Sequence, residues 1–146
     1  VAFYNQKEFS RAIQAYQKVI ELDPTYVEAY NNLGIAYTKK GMLPEAEREF
    51  GKAVRADPRY RDGWLNLGSL YYQTGKPGPA LENLLEAFKL GPKDGALCNN
   101  IAVLYFKKGE YRTALEYAGK AGTEGFKVDP GFLAEIKKKI SGRGGT

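Results

Sequence analysis

The constraint that shapes everything else in this chain is a repeat of 34 residues. Ala12, Ala46, Ala80 and Ala114 fall in strict register. The stretch from Tyr30 to Pro58 shows the unit. Tyr30, Leu33, Gly34 and Tyr37 recur at the three- and four-residue steps of a helix face. Lys40-Gly41 breaks the chain. Ala46, Phe50 and Ala53 mark a second helix, and Asp57-Pro58 stops it. One period later come Trp64, Leu67, Gly68 and Tyr71, then Ala80, Leu84, Ala87 and Pro92. The next brings Cys98, Ile101, Ala102 and Tyr105, then Ala114, Ala118 and Ala121. One period earlier stand Phe3, Ala12, Tyr16, Val19 and Pro24. A single helix pair cannot bury its own apolar face, so such units must stack and share a core. Gly34 and Ala46 belong where the paired helices cross. Because Ala102 already fills the position of Gly34 and Gly68, both glycines are expected to accept alanine.

This pattern resembles the tetratricopeptide repeat family, over nearly the whole chain. The resemblance implies an all-α solenoid of antiparallel helix pairs. It divides the single domain 1–146 into a partial repeat (1–25), three full repeats (26–59, 60–93 and 94–128) and a capping helix with tail (129–146). Helices are expected over 26–39 and 44–56, 60–74 and 79–90, and 95–107 and 110–121. The partial repeat should hold the end of one helix (1–5) and a separate partner helix (9–22). The breaker-rich stretch Gly75-Lys76-Pro77-Gly78-Pro79 is expected to form a stiff corner. Phe126 stands where a closing proline is expected, so the exit loop 122–128 is reshaped. In the last helix, 131–140, Leu133, Ile136 and Ile140 face one side and Lys137, Lys138 and Lys139 the other, as in a cap. Residues 141–146 are expected to be disordered.

Composition narrows the function. Histidine is absent, which removes the commonest general base. The one cysteine, Cys98, occupies the packing position of Tyr30 and Trp64, so a buried inert thiol is expected and not a nucleophile. No cysteine cluster offers a metal site. Gly75-Lys76-Pro77-Gly78 lacks the strand and spacing of a phosphate loop. The chain therefore reads as no enzyme, with no cofactor and no metal. No apolar run reaches membrane-spanning length, and no signal peptide is visible. Val1 falls inside a repeat's first helix, so a longer parent chain is expected, and a targeting segment could lie there. A soluble protein is read, with the cytoplasm favoured over the periplasm. The net charge of +5 is concentrated in the last third, but Glu110, Glu116 and Glu135 interrupt it. A nucleic-acid partner is disfavoured.

In the family this chain resembles, the first helices line a concave groove. The equivalent positions are Glu28, Asn31, Asn32, Ile35, Thr38 and Lys39 in the second repeat. They are Asp62, Leu65, Asn66, Ser69, Tyr72 and Gln73 in the third, and Ala96, Asn99, Asn100, Val103, Phe106 and Lys107 in the fourth. The partial repeat adds Val1, Tyr4 and Asn5. Asn32, Asn66 and Asn100 recur with the period. An amide both donates and accepts, so such a row resembles the asparagine ladder of the O-GlcNAc transferase superhelix, which would hold a peptide by its backbone. The same amides could instead brace neighbouring helices. Tyr4, Tyr72 and Phe106 add aromatic surface at equivalent positions. The carboxylate clamp of the family's chaperone-binding members is not matched: Asn31, Ile35 and Ala96 replace its key residues, so chaperone-tail binding is rejected.

The function expected is non-enzymatic protein–protein interaction, with an extended peptide or a helix in the groove. The candidate site residues are Asn31, Asn32, Asn66, Tyr72, Asn99, Asn100, Phe106, Lys39 and Lys107. Two alternatives stand beside it: a self-assembling scaffold that pairs with its own copies, and the substrate-recruiting arm of a larger enzyme.

Overall fold

Helix starts and stops follow the period because the turn chemistry does. The computed structural model describes residues 2–142, with side chains from Asn5 onward. The helices are α1 (Ala2–Leu22), α2 (Val27–Lys40), α3 (Leu43–Ala56), α4 (Arg61–Gln73), α5 (Pro77–Leu90), α6 (Gly95–Lys108), α7 (Tyr111–Thr123) and α8 (Pro130–Gly142). There is no strand among the described residues. By its internal packing the chain divides into two compact units, Val1–Lys76 and Pro77–Thr146. The first contains α1–α4 and the second α5–α8.

The turn after each first helix needs a left-handed residue. Gly41, Gly75 and Gly109 supply it, with φ of 78°, 73° and 82°. The next residue then reaches back to the last turn of the helix. Met42 N–H donates to Tyr37 O, Lys76 to Tyr71 O and Glu110 to Tyr105 O, each at 2.9 Å. This closes otherwise orphaned carbonyls. The register also explains why α1 does not break. The expected boundary near residues 5–9 is absent, and one helix runs from Ala2 to Leu22. Lys7 stands where Gly41 stands a period later, and a lysine resists the left-handed turn.

Two further boundaries are corrected. The expected stiff corner at 75–79 is only a turn at Gly75: Pro77, Gly78 and Pro79 form the first turn of α5. Prolines fit there because first-turn N–H groups have no helical acceptor. At the other end α8 runs on to Gly142, so Ser141 and Gly142 are helical and not disordered. Residues 143–146 lie outside the described residues, as do Val1 and the side chain of Tyr4.

A second periodic device ties each first helix to the loop before it. Tyr30 Oη donates to Pro24 O and Trp64 Nε1 to Pro58 O, both at 2.9 Å. The Cys98 thiol points at Pro92 O from 4.0 Å. Three unlike side chains thus aim at the carbonyl six residues back.

In the first unit the core gathers Ile13, Leu33, Tyr37, Phe50, Val54, Leu67 and Leu70. In the second, α8 covers α6 and α7. Ile136 is fully buried beside Ala102, Ala114 and Ala118, with Phe132, Leu133 and Ile140 around it. The lysines 137, 138 and 139 are exposed, which is the expected cap. Asp129 accepts from Phe132 N–H at 2.8 Å and secures its start.

The helix crossing corrects one expectation. A Cβ on Gly34 would lie 2.6 Å from the Phe50 ring, so Gly34 has no room for alanine. Ala102 fits because its counterpart on the second helix is Ala118 and not phenylalanine. Gly34→Ala should therefore cost about 1–3 kcal/mol, read from urea midpoints. In a Phe50→Leu background the same change should cost less than half as much. Equal costs in both backgrounds would show that the ring is not what excludes the methyl group.

Candidate functional site

The α2–α4 face of the first unit is the best-formed candidate. On α2, Glu28, Ile35 and Lys39 share one stripe, at steps of seven and four residues. On α4, Asp62, Ser69 and Gln73 share another. The two helices run in the same direction, because their C-terminal residues line one cleft and their N-terminal carboxylates flank one phenol. That phenol is Tyr60. Burial foremost, then the Asp62 and Glu28 carboxylates and Tyr26, push its pKa above the usual value.

The cleft has a volume of about 270 Å³. Ile35, Phe50 and Leu70 form its apolar lining, and Thr38, Lys39, Asn66, Ser69 and Gln73 its polar one. Two hydroxyl protons are already committed: Thr38 Oγ1 donates to Gly34 O at 2.9 Å, and Ser69 Oγ to Leu65 O at 2.8 Å. Their oxygen lone pairs remain as acceptors.

Below the cleft, Asn66 Nδ2 donates to Asn31 Oδ1 at 2.9 Å. Asn31 was expected to line the groove. It is instead only 4% exposed and serves as a brace between α2 and α4. Asn66 keeps its carbonyl oxygen out of this bond. Asn32, half-buried, takes no part in it. The bond cannot recur one period on, since Leu65 replaces Asn31 there and offers Asn100 no amide. The periodic asparagines therefore do not act alike: one bridges helices, one does not, and Asn100 is exposed on α6.

The other sequence-predicted residues are distributed as follows. Lys39 is exposed at the cleft, and Tyr72 is 44% exposed on α4. In the second unit Asn99 is half-buried on α6. Phe106 does not stand free as an anchor. Its ring packs at 5.2 Å from Tyr111 and 5.5 Å from Phe132, under the cap. Lys107, with Pro77, Leu81, Glu82, Leu104 and Lys108, lines a cavity of about 300 Å³ between α5 and α6. Nearby, Glu110 pairs with Lys108 at 2.7 Å and raises its pKa.

Two contributions were missed in the sequence. Phe50 reaches the cleft from the second helix, which only the crossing geometry reveals. Tyr26 and Tyr60, one period apart, flank the carboxylates, and the repeat itself could have signalled them. For chemistry the described residues offer little. No group of three or more Cys, Asp or Glu side chains is arranged to hold a metal ion among them. Cys98 is wholly buried, and burial foremost raises its thiol pKa.

Comparison with known proteins settles the family. Three tetratricopeptide repeat models match, over residues 2–41, 27–60 and 65–124. The chain belongs to the tetratricopeptide repeat family. Among solved structures it is similar to MamA, with 27% identity and a TM-score of 0.76, covering 94% of this chain and 80% of that one. It is also similar to YrrB, described as a TPR protein with an unusual peptide-binding site. There the identity is 26% and the TM-score 0.78, covering 94% of this chain and 72% of that one. The all-α tetratricopeptide-repeat fold read from the sequence is the fold these structures share. No curated protein matches the chain at a significant level. No helix among the described residues is long and apolar enough to cross a membrane.

The brace makes a direct prediction. Asn66→Ala should leave the buried Asn31 oxygen without its donor and cost about 1–3 kcal/mol. Asn32→Ala and Asn100→Ala should change stability by about 0.5 kcal/mol or less. Thermal melts followed by circular dichroism separate these outcomes. Three equal, small effects would remove the bracing role from Asn66.

Proposed function

We propose that this repeat protein binds a peptide segment of a partner protein on its α2–α4 face. The family membership and the likeness to YrrB support a protein-interaction module. The observation that carries the finer reading is the cleft itself. Apolar side chains at its floor are ringed by hydrogen-bonding groups of both kinds, the combination that recognition of a peptide needs. Thr38, Ser69 and the Asn66 carbonyl offer acceptors to peptide N–H groups. Gln73 and Lys39 offer donors to its carbonyls. Each peptide group that loses water on docking needs such a replacement, because an unmade bond costs about 1–3 kcal/mol.

Self-assembly through the terminal helices finds less support. The outward face of α1 carries Arg11, Gln14, Lys18 and Glu21, and that of α8 carries Lys137 and Lys138. Neither is an apolar surface awaiting a copy.

The test is selection of peptides from a random library displayed on phage, panned against the immobilised chain. An Ile35→Glu/Ser69→Arg variant serves as the control. Enriched peptides should bind the parent at least tenfold tighter than the variant, with both proteins showing the same thermal melt. Peptides that bind parent and folded variant equally would place the docking surface elsewhere.

A further inference from the structure

Charge along the α2–α4 face is segregated, and this bears on which peptide it takes. Glu28 and Asp62 stand at the N-terminal ends of the two helices. Tyr26, 47% exposed, and Tyr60 stand beside them. Eleven residues further along α2, on the same stripe, stands Lys39 at the rim of the cleft. None of Glu28, Asp62 and Lys39 forms an ion pair among the described residues. Charges of these signs also offset the helix dipoles. That role is met anywhere on the first or last turn, whereas these three lie on the stripes that flank the cleft.

The separation sets a length. Eleven residues of helix rise about 16 Å, which an extended chain covers in about five residues. We propose that the α2–α4 face selects a peptide with a basic side chain and an acidic side chain five residues apart and an apolar residue between them. The basic group lies over Glu28 and Asp62 beside the tyrosine rings. The apolar residue enters the cleft at Ile35, and the acidic group meets Lys39. Aromatic rings beside carboxylates favour a cation, and exposed ion pairs of this kind discriminate modestly and in a salt-dependent way. This selection rests on the peptide-docking reading of the same face.

The experiment uses four labelled hexapeptides, acetylated and amidated to remove terminal charge, in fluorescence anisotropy titrations of the full chain. They are Lys-Ala-Leu-Leu-Ala-Glu and its doubly basic, doubly acidic and uncharged (Gln-flanked) counterparts. The mixed-charge peptide should bind roughly three- to thirtyfold tighter than either like-charged peptide, and the preference should shrink as salt is raised. In Lys39→Glu the order should invert, with the doubly basic peptide binding tightest. Binding that Ile35→Glu abolishes, but that ignores peptide charge, overturns the charge selection while leaving peptide docking intact. Binding of all four that Ile35→Glu leaves unchanged, or no binding of any at millimolar concentration, overturns both.

Discussion

Two helices approach only as closely as the side chains at their crossing allow, and this steric limit governs the first unit. Phe50 fills the space that a Cβ on Gly34 would need, so the glycine is what lets a large ring sit in the α2–α3 crossing. The ring is 2% exposed, yet it also contributes to the cleft. One packing choice thus sets both the core and the apolar floor of the candidate site. In the second unit the same register holds Ala102 and Ala118, a small pair in place of glycine and phenylalanine. What repeats is the exclusion rule: a ring on one helix requires a glycine opposite, and only a small partner admits the alanine methyl.

Polar groups then divide the surface above that core. The Asn31–Asn66 bond holds α2 and α4 to a fixed spacing, and a buried amide with its partner in place is stable where an orphaned one is not. Next to it, Thr38 and Ser69 satisfy their protons on their own helices and leave acceptors facing outward. The cleft therefore presents acceptors without leaving either hydroxyl proton unbonded. At the far end of the chain α8 has the opposite task. Its apolar side is consumed by the core around Ile136, and its lysines face solvent.

Most of the fold was legible because it rests on local rules that repeat. Gly41, Gly75 and Gly109 mark turns that need a left-handed residue, and the register of Ala46 and Ala114 marks the crossings. The continuity of α1 is the exception: the sequence pattern places a boundary near residues 5–9, although Lys7 in place of the turn glycine already argues against it. The site was less legible for a physical reason. Asn31 and Asn32 are adjacent amides about 100° apart on one helix. Periodicity favours Asn32, but only the placement of α4 decides that Asn31 receives the bond. Phe106 shows the same limit: its position matches a groove residue, and α8 turns it into a cap contact. Interactions that depend on where a neighbouring element lands do not appear in a one-dimensional period.

The proposed docking face is tested most directly by mapping a library-selected peptide on the isotopically labelled chain by NMR. The backbone amides of Ile35, Thr38, Ser69 and Gln73 should move together as peptide is added, while those of Arg11, Lys18, Lys137 and Lys138 stay fixed. Shifts confined to the outward faces of α1 or α8, with the α2–α4 amides unmoved, would contradict it.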